Sequence, residues 1–231
     1  MGCIQSTSPT PTFNNNIHNN LHSSATTAAI YHALPSEYER HRVVNVYDGD
    51  TITIEDGRKR VRFLGIDCPE LDERQPFAKE ARDFVVSKCH NKHVYVSFEP
   101  GSEKTDRYGR LLAWIWVDLH QQQQQQQHGG FLNVNEALVL QGLANVYTPG
   151  NKKLQNHSKL IALQKKAREK RLGKWGSFQD VSVYKTRNGK AFHKRGCKHL
   201  AKSKSHNIEK ISASKGTDRG LYPCRTCLPD M

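Results

Sequence analysis

Between residues 41 and 66 apolar side chains recur at every second position, and the run is interrupted twice by an Asp-Gly pair. Val44 and Val46 precede Asp48-Gly49-Asp50, Ile52 and Ile54 precede Asp56-Gly57, and Val61 and Phe63 follow. Side chains alternating inward and outward belong to strands with one buried face, and Asp-Gly suits the tight turns that join such strands. The pattern predicts a three-stranded meander. Runs at 92–98 and 110–118 predict two more strands, with helices between and after them. Five strands with interleaved helices make an α+β fold around a small closed barrel.

Three helices are expected. Over 76–89, Phe77, Ala81, Val85 and Cys89 form one apolar stripe, which makes Cys89 a core thiol. Asn133 and Glu136 have capping-box spacing ahead of Ala137, Leu138 and Leu140. A last helix is expected to open after Pro149 with Asn151 as its cap. It should end in the basic run Lys165, Lys166, Arg168, Lys170 and Arg171 before Gly173, which suits the helix dipole and the glycine preference at helix ends. That run reads either as a solvated helix face or as a nuclear signal.

Two carboxylates beside turns, Asp50 and Asp67, are ligands of the kind a hard cation takes, whereas zinc would call for imidazole or thiolate. Calcium is the expected ion. Glu70 can deprotonate or position an attacking water, and Arg62 and Arg110 have the forked donors that match phosphate oxygens. In one regular strand Arg62 and Asp67 would face opposite ways, so a bend must separate them.

The segments VYDGDTI (46–52), VRFLGIDCPE (61–70) and TDRYGRLLAWI (105–115) together resemble the staphylococcal-nuclease-like, or thermonuclease, family over roughly residues 40–176. The resemblance implies an OB-fold barrel and a calcium-dependent endo- and exonuclease acting on DNA and RNA, single strands above all. The 5′ oxygen would leave, giving 3′-phosphate products. It also implies that the Cys68 backbone carbonyl joins the calcium ligands, that Arg107 and Tyr108 touch a terminal phosphate, and that Tyr147 stacks on a base; a packed surface tyrosine is an equal reading of Tyr147. In the family the connection that here carries Gln121–Gln127 is a short turn, so a polar loop insertion over 120–130 is expected, with His120 and His128 solvated. The alternative function is a catalytically inactive nucleic-acid-binding or scaffold module, reached by losing acidic or arginine positions. All five positions are present here.

The two ends need separate readings, because charge is uneven along the chain. The whole carries +13, yet residues 1–36 contain no charged side chain, while 181–231 hold 12 Lys/Arg against 3 Asp/Glu. The basic excess favours polyanionic partners through counterion release. Met1-Gly2-Cys3-Ile4-Gln5-Ser6 fits N-myristoylation of Gly2 with Cys3 as a palmitoylation site. One acyl chain binds a membrane only marginally, so Cys3 is the needed second signal. The polar stretch from Thr7 to Leu34 reads as a flexible tether spanning roughly 30 Å as a coil. The expected domains are 1–36 as a lipidated tail, 37–178 as the nuclease-like barrel and 179–231 as a metal module. The expected location is the cytoplasmic face of a membrane, and the expected state a monomer. Without a secretory or mitochondrial leader pattern the cysteines should be reduced and available to metal.

His193-x3-Cys197 and Cys224-x2-Cys227 have the spacing of a closed structural zinc site. They resemble the Ada-type zinc-binding fold, with His193 in place of a cysteine; His199 is a rival ligand. Tyr184, Phe192, Leu200, Ile208 and Leu221 are too few for an independent core, so zinc would supply the missing stability. The module would either dock substrate or merely stabilise the chain.

Overall fold

The computed structural model describes residues 26–55, 58–120, 129–147, 154–228 and 231. A 3-10 turn over Thr26–Ala29 leads into β1 (Ile30–Tyr31). The meander follows as β2 (Glu39–Val46), β3 (Thr51–Ile54) and β4 (Lys59–Phe63), paired antiparallel with Val46 opposite Ile52 and Ile52 opposite Val61, but a register shift between Val43 and Asn45 buries Val43 where the alternation puts Val44 inward. The inward set Val46, Ile52, Ile54, Val61 and Phe63 is buried to 2% exposure or less. Each such side chain stabilises the fold by about 1.5–3 kcal/mol relative to exposure.

After β4 come β5 (Ile66–Asp67), helix α1 (Ala78–Cys89), β6 (His93–Ser97) and β7 (Leu111–Asp118). Strand β7 runs parallel to β4, with Arg62 opposite Leu112, and antiparallel to β6, with Val96 opposite Ile115. Because β6 also pairs with β2, the five strands close into a barrel in the order β7, β4, β3, β2, β6. Closure leaves no edge among them. Helix α1 buries three of the four stripe residues, Ala81, Val85 and Cys89, at 0% exposure, whereas Phe77 stands just before the helix in the left-handed region and is only partly buried. Burial pushes the Cys89 thiol up to about 12, as suits a core group.

Strand β8 (Phe131–Asn133) pairs antiparallel with the end of β7 and runs into α2 (Val134–Leu140). Half of the capping box is made: the Glu136 N–H donates to the Asn133 side chain at 3.0 Å. The Glu136 carboxylate does not return to the cap. It accepts from the Tyr31 hydroxyl at 2.7 Å and pairs with Lys159 at 2.8 Å, and Lys159 also donates to the Tyr31 hydroxyl. A fully buried carboxylate needs such partners, and the Tyr31 hydroxyl and the Lys159 ammonium are the ones it meets.

That network corrects the expected tether. Tyr31 pairs with Phe131 across the β1–β8 ladder and Ala29 is fully buried, so the folded region begins before residue 37. The sequence gives Tyr31 no periodic partner; its place depends on β8, a hundred residues away. Residues 1–25, with Gly2 and Cys3, lie outside the described residues, as do the second Asp-Gly pair (56–57) and the glutamine tract (121–128). His120, just before that tract, is exposed and bonded to Asp118 at 2.9 Å.

Strand β9 (Asn145–Val146) pairs with β5, and α3 (His157–Glu169) packs on α2. The expected cap Asn151 is outside the described residues; α3 begins at His157 with no side-chain cap from Asn156. Its end also differs from expectation. Arg171, not Gly173, is the first residue in the left-handed region (φ 53°), and the Leu172 N–H returns to the Ala167 carbonyl at 3.0 Å. Gly173 serves a close approach instead, since a Cβ there would lie 2.5 Å from the Gly142 carbonyl oxygen.

The C-terminal module contains β10 (Ser182–Thr186), β11 (Ala191–Phe192), β12 (Ile208–Ser212), α4 (Ala213–Asp218) and β13 (Tyr222–Pro223). β10 pairs with β12 and β11 with β13 in two short ladders. Its main buried apolar cluster is Val183, Phe192, Ile211, Ala213, Leu221 and Leu228. It docks on α3: Arg168 donates to the Thr217 hydroxyl at 2.6 Å and pairs with Asp218 at 2.7 Å, and Gln164 donates to the Thr217 carbonyl at 3.3 Å. No helix among the described residues is long and apolar enough to cross a membrane.

Candidate active site and metal centre

Two bends at the barrel rim bring the acidic groups together. In the β2–β3 turn the Asp48 side chain accepts the Asp50 N–H at 2.9 Å, fixing the loop. Gly49 is required there by space: a Cβ would meet Ala81 of α1 at 2.7 Å and Cys68 at 2.9 Å. The turn can thus lie directly against Cys68, and the Asp50 carboxylate accepts the Cys68 N–H at 2.7 Å.

The second bend separates Arg62 from Asp67. Gly65 takes φ +75°, where a side chain would be strained and would strike Leu160. Asn135, fully buried in α2, clamps this bend by donating to the Leu64 carbonyl at 2.9 Å while accepting the Ile115 N–H at 3.0 Å. The turn folds β5 back toward β4. Arg62 then reaches Asp50 at 3.0 Å and Asp67 at 2.8 Å, and caps the Phe63 and Ile66 carbonyls at 3.1 and 2.9 Å.

This is a buried charge cluster. Burial pushes the Asp50 carboxyl up, the Arg62 guanidinium opposes that, and the neighbouring Asp48 and Asp67 charges push it up further. Arg62 itself is held charged, since Asp50 and Asp67 outweigh the burial that works against its charge. Four carboxyl groups, Asp48, Asp50, Asp67 and Glu70, face two guanidinium groups, Arg62 and Arg225, so oxygen donors outnumber the cations at this site. That surplus fits a hard dication with Asp50 and Asp67 as ligands. The Cys68 thiol is buried and held protonated, by burial first and by the Asp50 charge second, as suits a packed side chain. Its peptide, pinned to Asp50, is the part that faces the cluster.

Glu70 stands at the rim, its side chain 38% exposed and its N–H donating to the Gln75 side chain at 3.0 Å. Burial and then Asp67 raise its carboxyl, and Arg225 opposes them. Arg110 shares a face with Arg62 by register, two positions before Leu112, which pairs with Arg62. Its guanidinium is held by Asp106, through Nε at 2.8 Å and Nη2 at 2.7 Å. The Asp106 carboxyl is pushed up by burial, but donation from Arg110 and from the Arg110 and Tyr108 N–H groups carries it below the ordinary carboxylate value. Tyr108 is 67% exposed, with Arg107 and Arg110 against its ring. Tyr147 donates its N–H to the Gly65 carbonyl at 2.9 Å, beside the bend, and its ring meets Tyr222 of the module edge-on at 5.3 Å.

In the module, His193, Cys197, Cys224 and Cys227 place one ligand atom each within 4.8 Å of the others. The buried His193 Nδ1 has no hydrogen-bond partner, and burial, then His199, lower the ring so that it stays neutral, the form that ligates. An orphaned ring nitrogen facing three thiols fits a tetrahedral zinc site. His199 is outside the group; its ring contacts the Thr226 hydroxyl at 3.0 Å.

The residue that sequence reasoning missed is Arg225, between the two knuckle cysteines. It reaches Asp67 at 2.9 Å and Glu70 at 3.6 Å. Its only local signal was an arginine inside a Cys-x2-Cys pair, which says nothing about a carboxylate 158 residues earlier.

The comparisons with known proteins agree with this geometry. The family described as staphylococcal nuclease homologue matches residues 60–177, about half the chain. Asp50 lies before that match and is joined to it by the fold. Protein ParB of Escherichia coli is 34% identical over 170 residues, covering 72% of this chain and 90% of that protein. Thermonuclease of Staphylococcus hyicus is 33% identical over 147 residues, covering 60% and 77% respectively. An uncharacterized endonuclease of Escherichia coli is 32% identical over 151 residues, covering 64% and 85%. The chain therefore belongs to the staphylococcal nuclease family.

Proposed function

We propose that the protein is a calcium-dependent nuclease that hydrolyses phosphodiester bonds of DNA and RNA, favouring single strands. The observation that carries this reading is the Asp50–Arg62–Asp67 cluster with Glu70 beside it, a set of hard oxygen donors joined to a guanidinium at an open rim. Relatives named thermonuclease and micrococcal nuclease support the activity. Asp50, Asp67 and the Cys68 carbonyl would hold calcium, which when bound supplies charge neutralisation at a phosphate oxygen.

The chain's own groups do the rest. Glu70 accepts a proton from the attacking water as its oxygen bonds to phosphorus. The bond to the 5′ oxygen breaks, that oxygen takes a proton from solvent, and a 3′-phosphate remains. Arg62 and Arg110 donate to the phosphate oxygens as charge builds on them. Arg110 keeps Nη1 for this while Asp106 holds its other nitrogens. Arg107 and Tyr108, at an exposed turn, would receive a terminal phosphate, and Tyr147, beside the bend, would meet a base.

His193, Cys197, Cys224 and Cys227 would hold a structural zinc with no open position, so no zinc chemistry is assigned. Gly2 and Cys3 are proposed acylation sites that would tether a monomer to the cytoplasmic face of a membrane through residues 1–25. The test is hydrolysis of single-stranded DNA and RNA with calcium or a calcium chelator, with end-group analysis of the products. Calcium-dependent release of 3′-phosphate ends is expected; binding without cleavage in saturating calcium would leave a nucleic-acid-binding module instead.

A further inference from the structure

The C-terminal module reaches into the candidate centre through one side chain. Arg225 Nη2 lies 2.9 Å from Asp67 Oδ2 and 3.6 Å from Glu70 Oε1, so the guanidinium spans the two carboxylates between which a scissile phosphate and its water would lie. Arg225 does not arrive by chance of a loose loop. It stands between Cys224 and Cys227, whose backbone is tied by the Cys227 N–H to the Cys224 carbonyl at 3.2 Å. The module is held on α3 by the Arg168–Asp218 pair and the Thr217 contacts, and on the bend by the Tyr147–Tyr222 ring pair.

The three arginines around the cluster differ in what remains for a ligand. Arg62 commits both terminal nitrogens to Asp50, Asp67 and two carbonyls, and its side chain is 14% exposed. Arg110 commits Nε and Nη2 to Asp106. Arg225 makes its carboxylate contacts through Nη2 alone, and its side chain is 62% exposed. Among the described residues it is therefore the arginine of this cluster with the most donor capacity turned outward. A guanidinium presents five N–H donors in a fork that matches phosphate oxygens.

We infer that Arg225 is a substrate-binding residue of the nuclease centre, contributed by the C-terminal module, and that it takes a backbone phosphate of single-stranded nucleic acid at the Asp67–Glu70 edge. The inference rests on the proposed nuclease reading and deepens it: the metal module is part of the substrate site. One added phosphate contact near a carboxylate pair also offsets the repulsion that Asp67 and Glu70 exert on an incoming polyanion.

The experiment uses the full chain with its zinc, in calcium-free buffer, and a fluorescein-labelled single-stranded oligothymidylate read by anisotropy. Arg225→Ala should weaken binding about tenfold and lower the slope of log K against log salt by about 0.7, the value for one phosphate contact on a single strand. Arg225→Lys should recover part of the affinity. Arg219→Ala, which removes the same charge from an arginine paired with Glu209, should change affinity less than about twofold. Zinc content and melting temperature are measured on every variant, so that loss of the module is recognised. Unchanged binding by a zinc-loaded, folded Arg225→Ala protein would overturn the inference while leaving the nuclease reading intact. Tighter calcium binding with unchanged oligonucleotide affinity would likewise overturn it, making Arg225 a block on the carboxylates. If the wild-type chain binds no oligonucleotide, the Arg225 inference falls, and the nuclease reading is decided separately by cleavage in calcium.

Discussion

The barrel and the C-terminal module solve the problem of stability in opposite ways. The barrel closes five strands around a continuous apolar core that runs from Ala29 to Leu163, so its charged cluster can sit at the rim as a cost the core absorbs. The module buries six apolar residues in its main cluster and Leu200 between the thiols of Cys197 and Cys224 in a second, and its ladders are two and five residues long. A unit that small needs a metal or a neighbour, and this one has ligands for the first and α3 for the second. The lesson is that donor chemistry follows structural role. Oxygen ligands at an open rim suit a reactive cation, and a closed set of thiols and imidazole suits a structural one.

Loss of zinc should affect the two regions most unequally. Cys224→Ser, or removal of zinc by a chelator, should unfold the module while the barrel persists, because zinc binding in such modules is worth on the order of 10 kcal/mol of folding free energy. Hydrogen exchange is the check: amides of β10–β13 should lose protection while those of β2–β4 and β7 keep it. Protection retained throughout would mean that docking on α3 suffices.

The converse test lies in the barrel. Ile52→Ala, at a fully buried position, should lower stability by about 2–5 kcal/mol in denaturant titration and leave zinc stoichiometry unchanged. A smaller loss is expected at the barrel's early edge. Tyr31→Phe removes a donor from the buried Glu136 carboxylate and should cost about 1–2 kcal/mol, read from the same titration. A tether would show no change.

The smallest effect sharpens the joint between the two regions. Burial pushes the Asp180 carboxyl up, but the Ser214 hydroxyl and N–H, at 2.6 and 2.8 Å, carry it below its ordinary value. A depressed carboxylate stabilises the fold above its unfolded value near 3.8, and that contribution is lost as pH falls through its lower folded value. Asp180→Asn should therefore cost about 0.5 kcal/mol at neutral pH, a figure kept small for solvent screening. The gap to wild type should close in acid, as followed by melting at pH 7 and at pH 3.

What could be read from the sequence was what is local. Alternation and turn chemistry in β2–β4 act over a few residues, and so do the α1 stripe and the Asn133 cap. The His193, Cys197, Cys224 and Cys227 spacing was legible because metal geometry constrains it. The bend that turns Asp67 toward Arg62 was demanded by strand parity, but its means, Gly65 against Leu160 and Asn135 on the Leu64 carbonyl, come from α2 and α3. Nonlocal contacts stayed hidden. Tyr31 joins Glu136 and Lys159 across more than a hundred residues, and Arg225 meets Asp67 only because the module docks where it does.

The most direct measurement is the rate at which the full chain cleaves single-stranded DNA in saturating calcium, for wild type and for folded Asp50→Asn and Glu70→Gln variants. Both substitutions keep the shape of the site and remove one charge each. Cleavage by the wild type that falls at least about a hundredfold in both variants is expected, the scale of losing a general base or a metal's charge from a reacting centre. Cleavage that survives in both variants at the wild-type rate would place the chemistry elsewhere and contradict the assignment of the barrel rim as the nuclease centre.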